Sequence, residues 1–195
     1  MLDVAPALLG ATITHAGVTV RLTEVEAYAG TADPGSHAFR GPTPRTEVMF
    51  GPAGHLYVYF TYGMHWCANV VCGPSGAASA VLLRAGEVVA GEDVAAARRA
   101  PVPRRDWARG PARLATTLAL GREQTGLDAC APGAPVRFAA PSAPPPAAMI
   151  RTGPRVGVSG AGGDGTAYPW RFWLDGEPTV SVYRPVKPRA RRPPA

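Results

Sequence analysis

Two carboxylates, Glu24 and Glu26, close a run that alternates like a β-strand. Val18, Val20 and Leu22 share one face, and Thr19, Arg21 and Thr23 share the other. Unless a bulge interrupts the period of two, Glu24, Glu26 and Tyr28 fall on the valine side. A carboxylate there is unfavourable unless it is paired or put to use as a base. Arg84 raises the same question, because it shares a strand face with Ala80 and Leu82. Around these charges the chain supplies rings: Tyr28, Tyr57, Tyr59, Tyr62 and Trp66, with His37 in a loop. Rings beside a basic surface suit a flat ligand carried on a polyanion. A carboxylate in that setting polarises a water for hydrolysis. The residues alone reach a nucleobase or nucleic-acid binder with hydrolytic chemistry. They leave open a structural domain in which Glu26 and Arg84 are simply a buried pair.

Composition narrows the field. At 195 residues the chain is long enough for one domain with a substantial core. Its 23 glycines and 22 prolines predict many loops and short elements rather than long helices. The formal charge is +6, carried almost wholly by arginine, since Lys187 is the only lysine. Arginine excess suits phosphate contact because the guanidinium is planar and always charged. A GC-rich coding bias explains the shortage of lysine but not the positive sign. Cys67, Cys72 and Cys130 form no CxxC pair, and His65, Cys67 and Cys72 match no metal spacing. No metal or other cofactor is expected. Neither a secretory signal nor a membrane span is visible, which predicts a reducing cytoplasmic location without membrane contact.

The elements that must position these residues follow from local pattern. Residues 2–9 read as a short helix stopped by Gly10, and Thr12 to Thr14 and Val18 to Tyr28 as strands about Ala16-Gly17. Residues 29–55 are loop-rich, with Asp33-Pro34-Gly35, Gly41-Pro42 and Thr43-Pro44 as turn signals. Leu56 to Val71 reads as a β-hairpin turning at Tyr62-Gly63. Ala80 to Ala85 is a further strand. Residues 91–100 look helical, and Gly110-Pro111 opens a helix carrying Leu114 and Leu118. Val156 to Val158, Arg171 to Leu174 and Val180 to Tyr183 read as short strands, with Gly160 to Gly165 a flexible loop between them. Strands, then helices, then strands predict an α+β fold: one domain over 1–186 with a curved, mostly antiparallel sheet, flanking helices and a protruding β-hairpin. The basic, Pro-rich stretch 187–195 is expected to be a disordered tail. Neither GxGxxG nor a Walker sequence occurs.

One known pattern runs through these segments in order: Thr23-Glu24-Val25-Glu26-Ala27-Tyr28-Ala29-Gly30, Asp33, Ser36-His37-Ala38, Thr43-Pro44-Arg45, Met49-Phe50, Leu56-Tyr57-Val58-Tyr59, Tyr62-Gly63-Met64-His65, Asn69 and Ala80-Val81-Leu82-Leu83-Arg84-Ala85. Gly110-Pro111-Ala112-Arg113-Leu114, Arg155-Val156-Gly157-Val158, Trp170-Arg171-Phe172 and Val180-Ser181 continue it. The chain resembles the 3-methyladenine (alkyladenine) DNA glycosylase family over nearly its whole length.

The resemblance implies base-excision repair of double-stranded DNA containing damaged purines, by a monofunctional enzyme that works as a monomer, nucleoid-associated if bacterial. Glu26 matches the general base that activates water against C1′. Arg84 helps to hold that water, and the backbone carbonyl of Val156 is its third contact. Tyr28, His37 and Tyr59 match the rings that sandwich the extruded base. Tyr62 matches the wedge that fills the gap left in the duplex. Asn69 matches the residue that screens purines by their exocyclic amino group. The basic stretch carrying Arg98, Arg99, Arg104 and Arg105 is expected to contact DNA. No lysine lies near these motifs to form a Schiff base, so strand cleavage is not expected. Pro42 and Thr46 depart from the family's frequent Arg and Asn, and Gly86-Glu87-Val88 from its Leu-Glu-Pro, which bears on substrate range. The rival readings are a non-catalytic nucleic-acid-binding relative and a small-molecule nucleoside hydrolase. The second would need neither Tyr62 nor the arginine stretch.

Overall fold

A computed structural model describes residues 1–185. The expected tail, 187–195, lies outside the described residues. Among the described residues eight strands form one sheet in which every pairing is antiparallel: β1 (Thr12–His15), β2 (Val18–Tyr28), β3 (Leu56–Thr61), β4 (His65–Val71), β5 (Ala80–Ala90), β6 (Arg137–Ala139), β7 (Ile150–Gly153) and β8 (Arg171–Leu174). The main path runs β3-β4-β5-β2-β1-β6. Three helices flank it: α1 (Val4–Ala7), α2 (Glu92–Arg99) and α3 (Pro111–Thr117). The expected α+β domain with its hairpin is what the chain forms.

β2 is the axis of the sheet. β5 pairs along one side of it, while the other side divides between β1 at Val18–Arg21 and β8 at Glu24–Glu26. The division falls at a pair of offsetting register shifts, where Leu22 faces Gly86, Glu24 faces Ala85 and Val25 faces Leu83. One residue on each strand, Thr23 and Arg84, drops out of the pairing and bends the sheet there.

These bulges overturn the expected facing of the carboxylates. The main core takes Val18, Val20 and Leu22, then switches parity to Val25 and Ala27; on β5 it takes Val81 and Leu83, then Val88. Glu24, Glu26 and Tyr28 therefore turn away from the valines, onto the face that also carries Ala80, Leu82 and Arg84. A strand without bulges would have aimed both carboxylates into hydrocarbon.

On the opposite face a smaller cluster forms from Ala38, Met49, Tyr57, Val71, Ala78 and Ala80. It pins the 29–55 loop over β3, β4 and β5. Gly30 permits this close approach: its φ is +56°, and a Cβ there would lie 2.1 Å from the Ala78 carbonyl oxygen.

Local readings fared unevenly. β2, the hairpin and α2 form where expected. β6 and β7 are additional strands, while Val156–Val158 and Val180–Tyr183 are not strands. Both expected strands are short β-branched runs broken by Gly157 or followed by Pro185, and each spends backbone groups on side chains of the site rather than on a ladder. Gly160–Gly163 forms a short 3₁₀ turn.

Candidate active site

The face bearing Glu26 opens into a cavity of about 470 Å³. Its floor is the sheet: Tyr28, Tyr57, Tyr59, Cys67, Asn69, Leu82 and Arg84. Three segments wall it: residues 34–37, residues 156–159, and Pro111-Ala112 at the start of α3. Tyr62 and His65 stand at its rim on the hairpin. A cavity of this size accommodates a purine with part of its sugar.

Glu26 is 0% exposed and accepts three hydrogen bonds. The Val156 amide donates to Oε1 at 2.7 Å, the Tyr28 hydroxyl to Oε2 at 2.9 Å and Arg84 Nη1 to Oε2 at 3.2 Å. A carboxylate has about four lone-pair sites, so one remains, on Oε1, for a water or a substrate group. The sequence reading assigned Val156 by its carbonyl. In the structure its amide also reaches the site, donating to the carboxylate.

Arg84, 5% exposed, is shared between the two glutamates. Its Nε donates to Glu24 Oε1 at 2.9 Å and its Nη2 to Ser181 Oγ at 3.3 Å. Glu24 is further held by Arg171 Nε at 2.7 Å and by the Ser181 amide at 2.6 Å. Burial opposes ionisation of Glu24, but Arg84 and Arg171, helped by that amide, hold it below the usual glutamate range. Burial likewise disfavours the Arg84 charge, and Glu26 and Glu24 outweigh it, so the guanidinium stays protonated. Burial first, then the Glu26 charge, pushes the Tyr28 phenol well up. Tyr28 thus remains a donor to Glu26.

A second buried pair, Asp33–Arg155, fixes the wall. Arg155 donates to both Asp33 oxygens, at 2.5 and 2.7 Å, and to the carbonyls of Ala27 and Gly162. Its guanidinium carbon lies 4.5 Å from the Tyr28 ring centroid. Arg155 precedes Val156, so this pair sets where the Val156 amide meets Glu26. Sequence reasoning found both residues in the motif but gave neither a role. Asp33-Pro34-Gly35 signals only a turn, and nothing local points to an arginine 122 residues away.

The aromatic wall is a packed group. Tyr57 and Tyr59 stack with centroids 5.3 Å apart, and the His37 ring meets Tyr59 edge-on at 4.6 Å. His37 Nδ1 lies 3.2 Å from the Tyr57 hydroxyl. Asn69 is buried and donates to the Tyr57 carbonyl at 3.2 Å. At the hairpin tip Tyr62 is 82% exposed. Its φ of +51° precedes +65° at Gly63, a tight turn with unfavourable backbone for a tyrosine.

The arginine stretch is not gathered at the cavity. Arg98 donates to the Ala16 and Thr117 carbonyls, at 2.6 and 2.8 Å, and ties α2 to the β1–β2 turn and α3. Arg104 is bonded to Glu92 at 2.6 Å and to the Val88 carbonyl. Arg99 is half-buried, whereas the Arg105 side chain is 69% exposed. Among the described residues no group of three or more His, Cys, Asp or Glu could hold a metal ion, and no helix is long and apolar enough to cross a membrane.

A model of the methylpurine-DNA glycosylase family matches residues 1–178, nearly the whole chain. The chain belongs to the methylpurine-DNA glycosylase family. Among its relatives, a protein of Streptomyces avermitilis is 54% identical, over 98% of this chain and 91% of its own length. One of Frankia casuarinae is 55% identical over 96% and 90%, and one of Leifsonia xyli subsp. xyli 56% identical over 94% and 88%. All three carry the provisional name of 3-methyladenine DNA glycosylase. Membership of this family supports a DNA glycosylase role in DNA repair, with DNA as the substrate.

Proposed function

We propose that the chain removes alkylated or deaminated purines from duplex DNA by hydrolysing the N-glycosidic bond, leaving an abasic site. The observation that carries the reading is Glu26: a fully buried carboxylate whose three donors, Val156, Tyr28 and Arg84, all line the ring-walled cavity, with one acceptor position left on Oε1.

In this reading Tyr62 enters the duplex from the hairpin tip and takes the place of the flipped nucleotide. The extruded purine lies among Tyr28, His37 and Tyr59, with Asn69 screening its edge. A water bound at the free site of Glu26 Oε1 loses a proton to that carboxylate and attacks C1′ as the bond to the purine breaks. Arg84 and the Val156 amide keep the carboxylate aimed at the anomeric carbon. A cationic alkylpurine leaves as a neutral base, whereas a neutral purine must gain a proton on leaving. The step needs no covalent enzyme intermediate, so the enzyme acts as a monofunctional glycosylase, and one copy holds every residue invoked.

The test is release of free base from duplexes that each carry one defined lesion, followed by alkali to reveal abasic sites. Glu26→Gln is expected to lower the rate by at least about 10²-fold, the scale of a lost general base, while lesion-duplex binding persists. Equal turnover by the variant and the parent ends the assignment of Glu26.

A further inference from the structure

The carboxylates around the cavity are all matched. Glu24 has Arg84 and Arg171, Glu26 has Arg84, and Asp33 has Arg155. Arg45 is different. It comes from the 29–55 loop, is exposed, and pairs with no carboxylate among the described residues. Glu47, two positions on, is exposed and makes no ion pair with it. The Arg45 guanidinium carbon sits over the Tyr59 ring, 5.5 Å from its centroid. Tyr59 in turn stacks on Tyr57 and meets His37 edge-on. The ring wall of the cavity therefore has beside it a positive charge that no carboxylate among the described residues balances.

That charge acts against the usual attraction of a cationic base to aromatic faces. A ring already facing one cation has less to offer a second, and the two cations repel. His37 registers the same field: its imidazole is held below the usual histidine range, first by desolvation against the tyrosines and then by Arg45. Whatever disfavours a proton on His37 disfavours a charged purine lying beside it.

We infer that Arg45 is a specificity-determining residue that biases the pocket toward neutral purine lesions, of the hypoxanthine class, over cationic alkylpurines. The inference rests on the glycosylase reading above and deepens it by naming the substrate class.

The test uses the full chain carrying Glu26→Gln, so that lesions are bound but not removed. Its affinity is titrated against three duplexes: undamaged, with one hypoxanthine, and with one 7-methylguanine, at mildly acidic pH where the cationic form of the last predominates. Arg45→Gln and Arg45→Lys are then added to the same background. The quantity read is the ratio of the two lesion affinities, which cancels any general loss of phosphate contact and any fixed penalty on the guanine amino group. Arg45→Gln is expected to move the ratio toward 7-methylguanine by about five-fold, the order of a unit charge acting across a partly solvated rim. Arg45→Lys, which keeps the charge, is expected to hold it within about two-fold of the parent. If both lesion duplexes bind better than undamaged DNA and the ratio is unmoved by Arg45→Gln, the role of Arg45 is overturned and the glycosylase reading stands. If neither lesion is preferred to undamaged DNA, both fall.

Discussion

Replacing Arg155 with methionine removes a guanidinium that is 0% exposed and leaves Asp33, also 0% exposed, without its counter-charge. Among the described residues Asp33 keeps only two backbone donors, the Gly35 amide at 2.8 Å and the Ala29 amide at 3.2 Å. The carbonyls of Ala27 and Gly162 lose their Arg155 donors at the same time. Breaking a buried ion pair from one side costs about 3–5 kcal/mol. That is a large part of the roughly 5–15 kcal/mol by which a domain is stable. At this chain length it lowers Tm by roughly 6–20 °C. The damage is also local, because Val156 follows Arg155 and its amide would no longer be held on Glu26. Base release measured well below the variant's melting point should fall by roughly 100-fold, the usual consequence of a misplacement near 1 Å. Thermal melts followed by circular dichroism give the stability. The Asp33→Asn/Arg155→Met double variant gives the cause, since it removes the stranded charge and should regain at least about 1.5 kcal/mol over the single variant. A single variant within about 1 kcal/mol of the parent, or a double variant no more stable than the single, would refute the claim that this pair holds the wall.

Tyr62→Ala should leave the melting temperature unchanged, because the ring is 82% exposed, yet weaken lesion binding far more than non-specific binding; unaltered lesion preference in a gel-shift titration rejects the wedge. The folded pKa of Glu24 lies below its ordinary value of 4.5 because Arg84 and Arg171 outweigh its burial. The stability it contributes is thus complete above that value and lost as pH falls through the folded pKa. Acid unfolding curves should therefore flatten in Glu24→Gln, and an unchanged acid limb contradicts the pairing. Arg98→Ala should lower stability without altering the salt dependence of DNA binding, since its donors are spent on Ala16 and Thr117. Arg105→Ala should reduce the slope of log affinity against log salt by about 1 if that exposed side chain meets a phosphate, and titrations at several salt concentrations decide each case.

The legible parts of the fold were those with a strong period or a turn signal. β2 is a long alternating run, the hairpin is marked by aromatic and β-branched residues around Tyr62-Gly63, and α2 has acidic residues at its start and Arg98-Arg99 at its end. The missed strands are three or four residues long. β6 exists because β1 offers it an edge, and β7 because β8 does, and no propensity within so short a segment signals that. The bulges at Thr23 and Arg84 were equally silent. They are a joint property of two strands, and only pairing shows that each must drop one residue.

The candidate site divides in the same way. The residue types singled out Glu26, Arg84, Tyr28, His37, Tyr59 and Tyr62, because a carboxylate, a guanidinium and a set of rings carry their chemistry with them, while Asn69 and the separate roles came from the family resemblance. Sequence alone could not say that Val156 would meet Glu26 through its amide, that Asp33 and Arg155 would hold it there, or that Arg98 would turn inward. Those outcomes depend on which donors end up near which acceptors once water is excluded. Only the folded sheet, bent at its paired bulges, brings Arg84 and Val156 within hydrogen-bond reach of Glu26.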